Sequence, residues 1–409
     1  MNDITIDQNY LLDVTQNLIR IDTVNHPGKD NDYWPGIRYL QGLMEELALR
    51  VVIEGKEHYP NIIGRLRGNG TSGKTLMYNA HLDTVPIGNP QLWKHEPFGG
   101  IYEDGYCYGR GACDMAGQIA MILSVVKYLS ANRGQFSGEL AVSFVTGHET
   151  GSVNGSVWLM KNHPELLKAD MCYIPEASNW KFTINSRGIL WVKAITKGVS
   201  GHTALFNEKL PDGSYSSPVN AVHHMIEFAS RARRVDDWMV YQKVEHLGTE
   251  DGMYTDKPVF EVNMIQAGEK QNTIPELCTA VFDIRFLPTQ TPEGILKELQ
   301  RLADRCKQDD PLFDISFEVD MIQSPPMCVD VDSELYRLAA RNYEKVFGRA
   351  MEKCGCCAPG DAVAFGGVMP VTWLGPTWDN GHGYNERVSI PELTLLAKLY
   401  AEMVLDYLR

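Results

Sequence analysis

Five residues spread from position 81 to position 382 have the types to hold metal: His81, Asp114, Glu149, Glu176 and His382. Each falls at a strand end or in a loop. His81-Leu82-Asp83 closes an apolar, strand-like run, and residues two apart on an extended chain point the same way. A metal-bound His81 could therefore have its ring oriented by Asp83, although the triplet alone is equally an ordinary strand end. Gly109-Arg110-Gly111-Ala112-Cys113-Asp114-Met115 leads into a helix near Gly117. An Asp at that junction can offer its two oxygens to two ions, although singly it reads as a helix cap. Glu149 follows a strand from Leu140 to Thr146, and Glu176 follows one from Met171 to Ile174. His382 sits in Gly381-His382-Gly383, after a strand around Trp373. Two histidines and three carboxylates, one of them shared, give each of two ions a nitrogen, a terminal carboxylate and the common Asp. That donor set suits zinc, with cobalt or manganese as substitutes. Two ions about 3.5–4 Å apart activate water and polarise a scissile carbonyl, so the chemistry implied is hydrolysis.

The elements that must position these residues are legible in the hydrophobic spacing. Asp7 to Leu18, Ile37 to Leu49 and Gly117 to Leu129 have helical periodicity. Val51 to Glu54, Asn61 to Leu66, Thr75 to Asn79, Glu139 to Thr146 and Met171 to Ile174 read as strands. Strands alternating with helices predict an α/β sheet covered on both faces, with function at the strand ends. After Gly188 the texture changes. A strand (Ile189 to Lys197), a helix (Ser217 to Arg233), two strands (Val259 to Gln266, Thr279 to Phe286), a helix (Pro292 to Lys307) and a strand (Phe313 to Val319) predict a small α+β sandwich. A helix from Ser333 to Val346, a strand from Val371 to Leu374 and a helix from Pro391 to Leu408 then resume the first pattern. The expected organisation is a discontinuous domain, 1–187 and 324–409, with 188–323 inserted. The stretch 205–218 is expected to be a loop.

Composition bounds the rest. With 409 residues, 44% hydrophobic and 10% aromatic, the chain is globular and long enough for two domains. A net charge of −14 argues against nucleic acid or an anionic membrane surface as partner. No signal-like N-terminus and no apolar run of about 18 residues is evident. Nine scattered cysteines suit reduced thiols, so a cytoplasmic location is expected. Cys354-Gly355-Cys356-Cys357 lacks a second pair at metal spacing and reads as structural. Gly68 to Lys74 faintly echoes a phosphate loop but reads as a hairpin between strands.

Taken in order, the motifs resemble the co-catalytic zinc family of acetylornithine deacetylase, succinyl-diaminopimelate desuccinylase, aminoacylase and glutamate carboxypeptidase. The resemblance runs through His81-Leu82-Asp83-Thr84-Val85-Pro86, Tyr108 to Met115, the Glu149 segment, Pro175-Glu176 and Arg187-Gly188. It continues through Lys197-Gly198, Gly201-His202, Asn272-Thr273-Ile274-Pro275, Asp283-Ile284-Arg285, His382 and Asn385-Glu386. It implies a mixed-sheet zinc-peptidase-like catalytic domain with an inserted lid or dimerisation domain. It also implies Asp114 as the bridge, His81 and Glu176 on one ion, Glu149 and His382 on the other, and Asp83 orienting His81. His202 resembles the residue that, in dimers, reaches the partner's site and stabilises the oxyanion; Asn272 and Arg285 resemble substrate anchors, Arg285 through its fork of donors for a carboxylate. The bland alternatives are that His202 only ends a strand and that Arg285 only pairs with Asp283; the functional reading is preferred for both, less strongly for Arg285.

The sequence departs from that family at one chemically important place. Where the family has Asp-Glu-Glu before a Gly-Ser turn, this chain reads Gly147-His148-Glu149-Thr150-Gly151-Ser152, which puts His148 at the position of the general base. Three readings follow: His148 is a working base, it is a third nitrogen ligand, or the ordinary amidase chemistry is lost, the first being preferred. Ala116 also stands where the family usually has Lys. The expected function is therefore a dinuclear-metal hydrolase of an N-acyl amino acid, dipeptide or related small amide. The alternatives are an aminohydrolase acting on an activated ring, or a catalytically silent, metal-binding dimer.

Overall fold

The structure, a computed structural model, describes residues 4–26, 31–204, 208–209, 215–247, 256–366 and 368–409. Their contacts divide into two units. The first comprises 1–184, 329–354 and 360–409; the second comprises 185–328 and 355–359. Segment 355–359, assigned from sequence to the first unit, belongs to the second because Gly355 lies against His246 and Leu247 there.

In the first unit six strands form one sheet, in the spatial order Arg50–Lys56, Tyr59–Arg67, Glu139–Val145, Thr75–His81, Met171–Ile174, Val371–Trp373. The first two pairings are antiparallel and the remaining three parallel. The four parallel strands are nearly wholly buried, which is why they read as continuous apolar runs and not as alternating ones. All four release their chains at the same sheet edge, so His81, the 146–149 segment, Glu176 and the 374–382 segment leave the sheet together. The linker 68–74 is not a hairpin: the strands it joins flank Glu139–Val145 on opposite sides.

Helices cover this sheet. Gly117–Ala131 is apolar on every side, with Ile119, Met121, Ile122, Leu123, Val125 and Val126 fully buried. Contrary to the sequence expectation, Ala112–Ala131 is long and apolar enough to cross a membrane, yet 89% of its apolar window is buried within the protein. It is a core helix, packed between Gln8–Arg20 and Ile390–Tyr407. Ser389 caps the latter by accepting from the Glu392 N–H.

The second unit is a four-stranded antiparallel sheet in the order Val259–Ala267, Leu277–Phe286, Gly188–Lys197, Asp314–Ser324. Leu277–Phe286 alternates strictly between buried and part-exposed side chains, the signature of a sheet with one covered face. Helices Ala221–Ala232 and Pro292–Asp309 bury Met225, Phe228, Ile295 and Leu299 against Leu190, Val192 and Phe282. The stretch 205–218 lies partly outside the described residues; within it Glu208–Lys209 pairs with Tyr215–Ser216.

Candidate two-metal active site

The five sequence-selected donors meet at the parallel edge of the first unit's sheet. His81 ends its strand fully buried, and Asp114 and Glu176 are almost as deep. His81 Nε2 lies 2.8 Å from Asp114 Oδ1 and 3.9 Å from Glu176 Oε2. On the other side of Asp114, Oδ2 lies 3.1 Å from His382 Nε2, which is itself 3.2 Å from Glu149 Oε1. Asp114 thus turns one oxygen to each half of the cluster. Two overlapping groups have ligand atoms within 4.8 Å of one another: His81, Asp114 and Glu149, and His81, His148 and Glu176.

Local structure explains these positions. Asp114 sits where the backbone departs from helical geometry just before the helix at Gly117, so its side chain faces the sheet edge. The loop that presents it is organised by Glu386, whose carboxylate accepts from Arg110 and from the N–H groups of Gly111 (3.1 Å), Cys113 (2.9 Å) and Asp114 (3.1 Å). Arg110 Nη2 in turn donates to the carbonyls of Pro86, His382 and Gly383. His382 stands exposed in a loop with a left-handed φ of 63°.

Asp83 differs from expectation. Its carboxylate is 3.9 Å from His81 Nδ1, and it is the Asp83 backbone carbonyl, at 2.9 Å, that holds the ring. The carboxylate accepts instead from the N–H groups of His148 (3.1 Å) and Glu149 (3.0 Å) and from Asn25 Nδ2 (3.1 Å). It fixes the turn that carries Glu149, because a strand-end residue pointing toward the neighbouring parallel strand meets that strand's exit loop.

The electrostatics are those of anions short of cations. Burial, then Asp114, pushes the Glu176 carboxyl up to about 8. Hydrogen bonds to Asp114 and Glu149 raise His382 to about 10. Burial works against a charged His81, yet Asp114 raises it above the ordinary imidazole range; burial likewise opposes the Asp114 charge, and His81 and His382 overcome it. Meanwhile, among the described residues, buried Glu176 Oε2 has no hydrogen-bond partner, and buried His81 Nε2 and Asp114 Oδ1, 2.8 Å apart, have none besides each other. Buried nitrogens and carboxylate oxygens that converge this closely, and hold protons in a cation's place, are what divalent cations satisfy, so the residues present fit a two-metal centre.

His148 lies over His81, ring centroids 3.9 Å apart and planes inclined by 12°. Its Nδ1 is 2.8 Å from Asp361 Oδ2. An ion bound by an imidazole nitrogen lies close to that ring's plane, about 2.0–2.1 Å from the nitrogen. Two stacked, nearly parallel rings have no such point in common, so His148 as placed cannot share an ion with His81.

Asp361 and Glu386 as organisers, and Asn25, were missed as site residues from sequence. Asp361 and His148 are 213 positions apart, and nothing in the local pattern around Gly360-Asp361 marks the pairing. In the second unit, exposed His202 has Nε2 3.3 Å from Asn272 Nδ2, the two strands Gly201–His202 and Thr273–Ile274 being paired. Arg285 engages Asp283 through Nε (2.8 Å) and Nη2 (2.9 Å), the ion pair that their alternation on one strand allows.

Many known proteins are similar to this chain in sequence or in fold. The chain is 25% identical over 407 residues to succinyl-diaminopimelate desuccinylase 2 of Ruegeria sp. (strain TM1040), covering 97% of this chain and 94% of that one. Aminopeptidase PepT from Bacillus cereus ATCC 10987 superposes with a TM-score of 0.75 at 18% identity, covering 99% of this chain and all (100%) of the other. The Bacillus subtilis YXEP protein, described as a dinuclear metal binding peptidase, does so with a TM-score of 0.71 at 14% identity, covering 98% of each chain. Matched over residues 77–406 by the model of peptidase family M20/M25/M40, the chain belongs to that family of metal-dependent hydrolases acting on amide bonds.

Proposed function

We propose that the protein hydrolyses the amide bond of an N-acyl amino acid, a dipeptide or a related small molecule at a zinc-loaded centre. The observation that supports this most directly is the split of Asp114, one oxygen toward His81 and the other toward His382. His81 and Glu176 would hold one ion, Glu149 and His382 the other, with Asp114 between them. When bound, the ions supply Lewis acidity to the carbonyl and lower the pKa of attacking water.

The chain's own groups do the rest. His148 accepts the proton lost by the attacking water and delivers it to the leaving nitrogen. Asp83, through the 148–149 N–H groups, holds both the base and a ligand in register. The resemblance of His202 and Asn272 to oxyanion and substrate groups supports a homodimeric enzyme in which they contact the acyl portion. Arg285 keeps N–H donors beyond the two committed to Asp283, which suits a substrate carboxylate.

The test is release of free amine by zinc- or manganese-loaded enzyme from a panel of N-acyl amino acids and dipeptides, with and without chelator. Amino-substituted aromatic rings are run alongside. Chelator-sensitive amide cleavage is expected. Ammonia released only from a ring compound would replace this reading with the aminohydrolase one. Light scattering of the purified protein checks the dimer.

A further inference from the structure

We propose that Asp361 and His148 form a carboxylate–imidazole pair in which Asp361 is the positioning residue that leaves His148 Nε2 as the proton acceptor. This rests on the amide-hydrolase reading above and adds a residue to it. Asp361 is 1% exposed, and its Oδ2 is 2.8 Å from His148 Nδ1. An ionised carboxylate can only accept, so the shared hydrogen sits on Nδ1 and the neutral ring has its lone pair on Nε2.

The ring has little freedom to turn elsewhere. One face is stacked on His81, which the Asp83 carbonyl holds. At the Cε1 edge stands Gly360, with a left-handed φ of 50° and a site where an added Cβ would come within 3.0 Å of His148 Cε1. The same Cβ would meet Trp373 Cζ2 at 2.6 Å, so only glycine lets the chain run this close and deliver Asp361 to Nδ1. With those sides taken, Nε2 is the nitrogen left uncommitted, and a His148 ring nitrogen lies within 4.8 Å of ligand atoms of His81 and Glu176.

The pairing explains how an imidazole stands in for a carboxylate base. As the water oxygen bonds to the carbonyl carbon, its proton goes to Nε2; as the carbon–nitrogen bond breaks, the same proton goes to the leaving nitrogen. His148 ends as it began. Asp361 exchanges no proton; it holds the tautomer and stabilises the transient imidazolium, the role of the acid in hydrolytic triads.

The test uses zinc-loaded wild type, Asp361→Asn and Asp361→Glu. In Asp361→Asn, kcat is expected to fall about 10²–10⁴-fold with KM within threefold and metal content unchanged, with Asp361→Glu recovering part of the loss. The second readout is independent of activity: ¹⁵N spectra of histidine-labelled protein, with His148 identified as the signals lost in His148→Gln. Wild type should show Nδ1 protonated and Nε2 bare, and Asp361→Asn should lose that preference.

Three results overturn the pair: Asp361→Asn keeping kcat within threefold, a wild-type His148 protonated on Nε2, or a ¹¹³Cd–¹⁵N coupling to His148 in cadmium-substituted enzyme. If wild type cleaves no amide at all, the proposed function falls, while the nitrogen spectra of wild type still decide the pair.

Discussion

Replacing Glu386 with Gln should damage the site without touching a ligand. The native carboxylate accepts four donors, from Arg110 and from the N–H groups of Gly111, Cys113 and Asp114, and is itself fully buried. Glutamine keeps one acceptor oxygen and turns an NH₂ toward groups that can only donate. Burial and the Asp114 charge already push the Glu386 carboxyl up to about 7, so the native pairing offsets a real desolvation cost. Breaking one side of a buried ion pair costs about 3–5 kcal/mol, because the guanidinium left behind is uncompensated. In a unit this large each kcal/mol moves Tm by roughly 2–4 °C, which predicts a drop of about 6–20 °C in metal-free protein. Because Arg110 also ties down the His382 loop and the Asp114 N–H is one of the four donors, zinc affinity should fall about 10–100-fold. Thermal melts and competition with a chromophoric chelator measure the two effects. A metal-free Tm within 2 °C of wild type, together with unchanged zinc affinity, would refute the view that Glu386 organises this loop.

Other outcomes follow from the same geometry. Zinc at 100 times its Kd should stabilise the metal-free protein by about 2.7 kcal/mol, a rise in Tm of roughly 5–10 °C; no shift on addition would count against a preformed site. Gly360→Ala should destabilise by about 1–3 kcal/mol and lower kcat about tenfold at unchanged metal content, since its Cβ collides with Trp373 and His148. Asp406 accepts from Arg341 Nε (2.5 Å) and Asn342 Nδ2 (2.9 Å), and despite partial burial its carboxyl is held below the ordinary value of 3.8. A depressed folded-state pKa contributes stability above the unfolded value that is lost as pH falls through the folded one. The pair is more than a third exposed, so Asp406→Asn should cost only a fraction of a kcal/mol at pH 7, and urea melts should show the difference vanishing in strong acid.

Much of this is legible in the sequence, and the reason is periodicity. The parallel strands are short apolar runs between turn residues, and histidines and acids follow directly at several of their ends. Strand exits such as Glu176 and His382 could therefore be located by local pattern alone. What pattern cannot give is which loops touch. Asp361 beside His148, and Glu386 beneath Asp114, are set by how the sheet aligns segments more than two hundred positions apart. The linker 68–74 was misread for the same reason: a tight turn between two strands looks identical whether or not a third strand lies between them. Asp83 shows a finer limit, since side-chain alternation places its carboxylate on the right face but not on the right partner.

The spread of donors from His81 to His382 also has a consequence for biogenesis. Strand Val371–Trp373 joins the sheet edge only after the entire second unit has left the ribosome, and His382 follows it. A nascent chain that has emerged as far as Glu176 holds one histidine and three acids of the set, enough for a first ion but missing a donor for the second. Completing the donor set therefore requires both segments of the discontinuous unit to have come together. Metal occupancy would in effect report that the chain has folded as far as His382, with the sheet strand Val371–Trp373 in place.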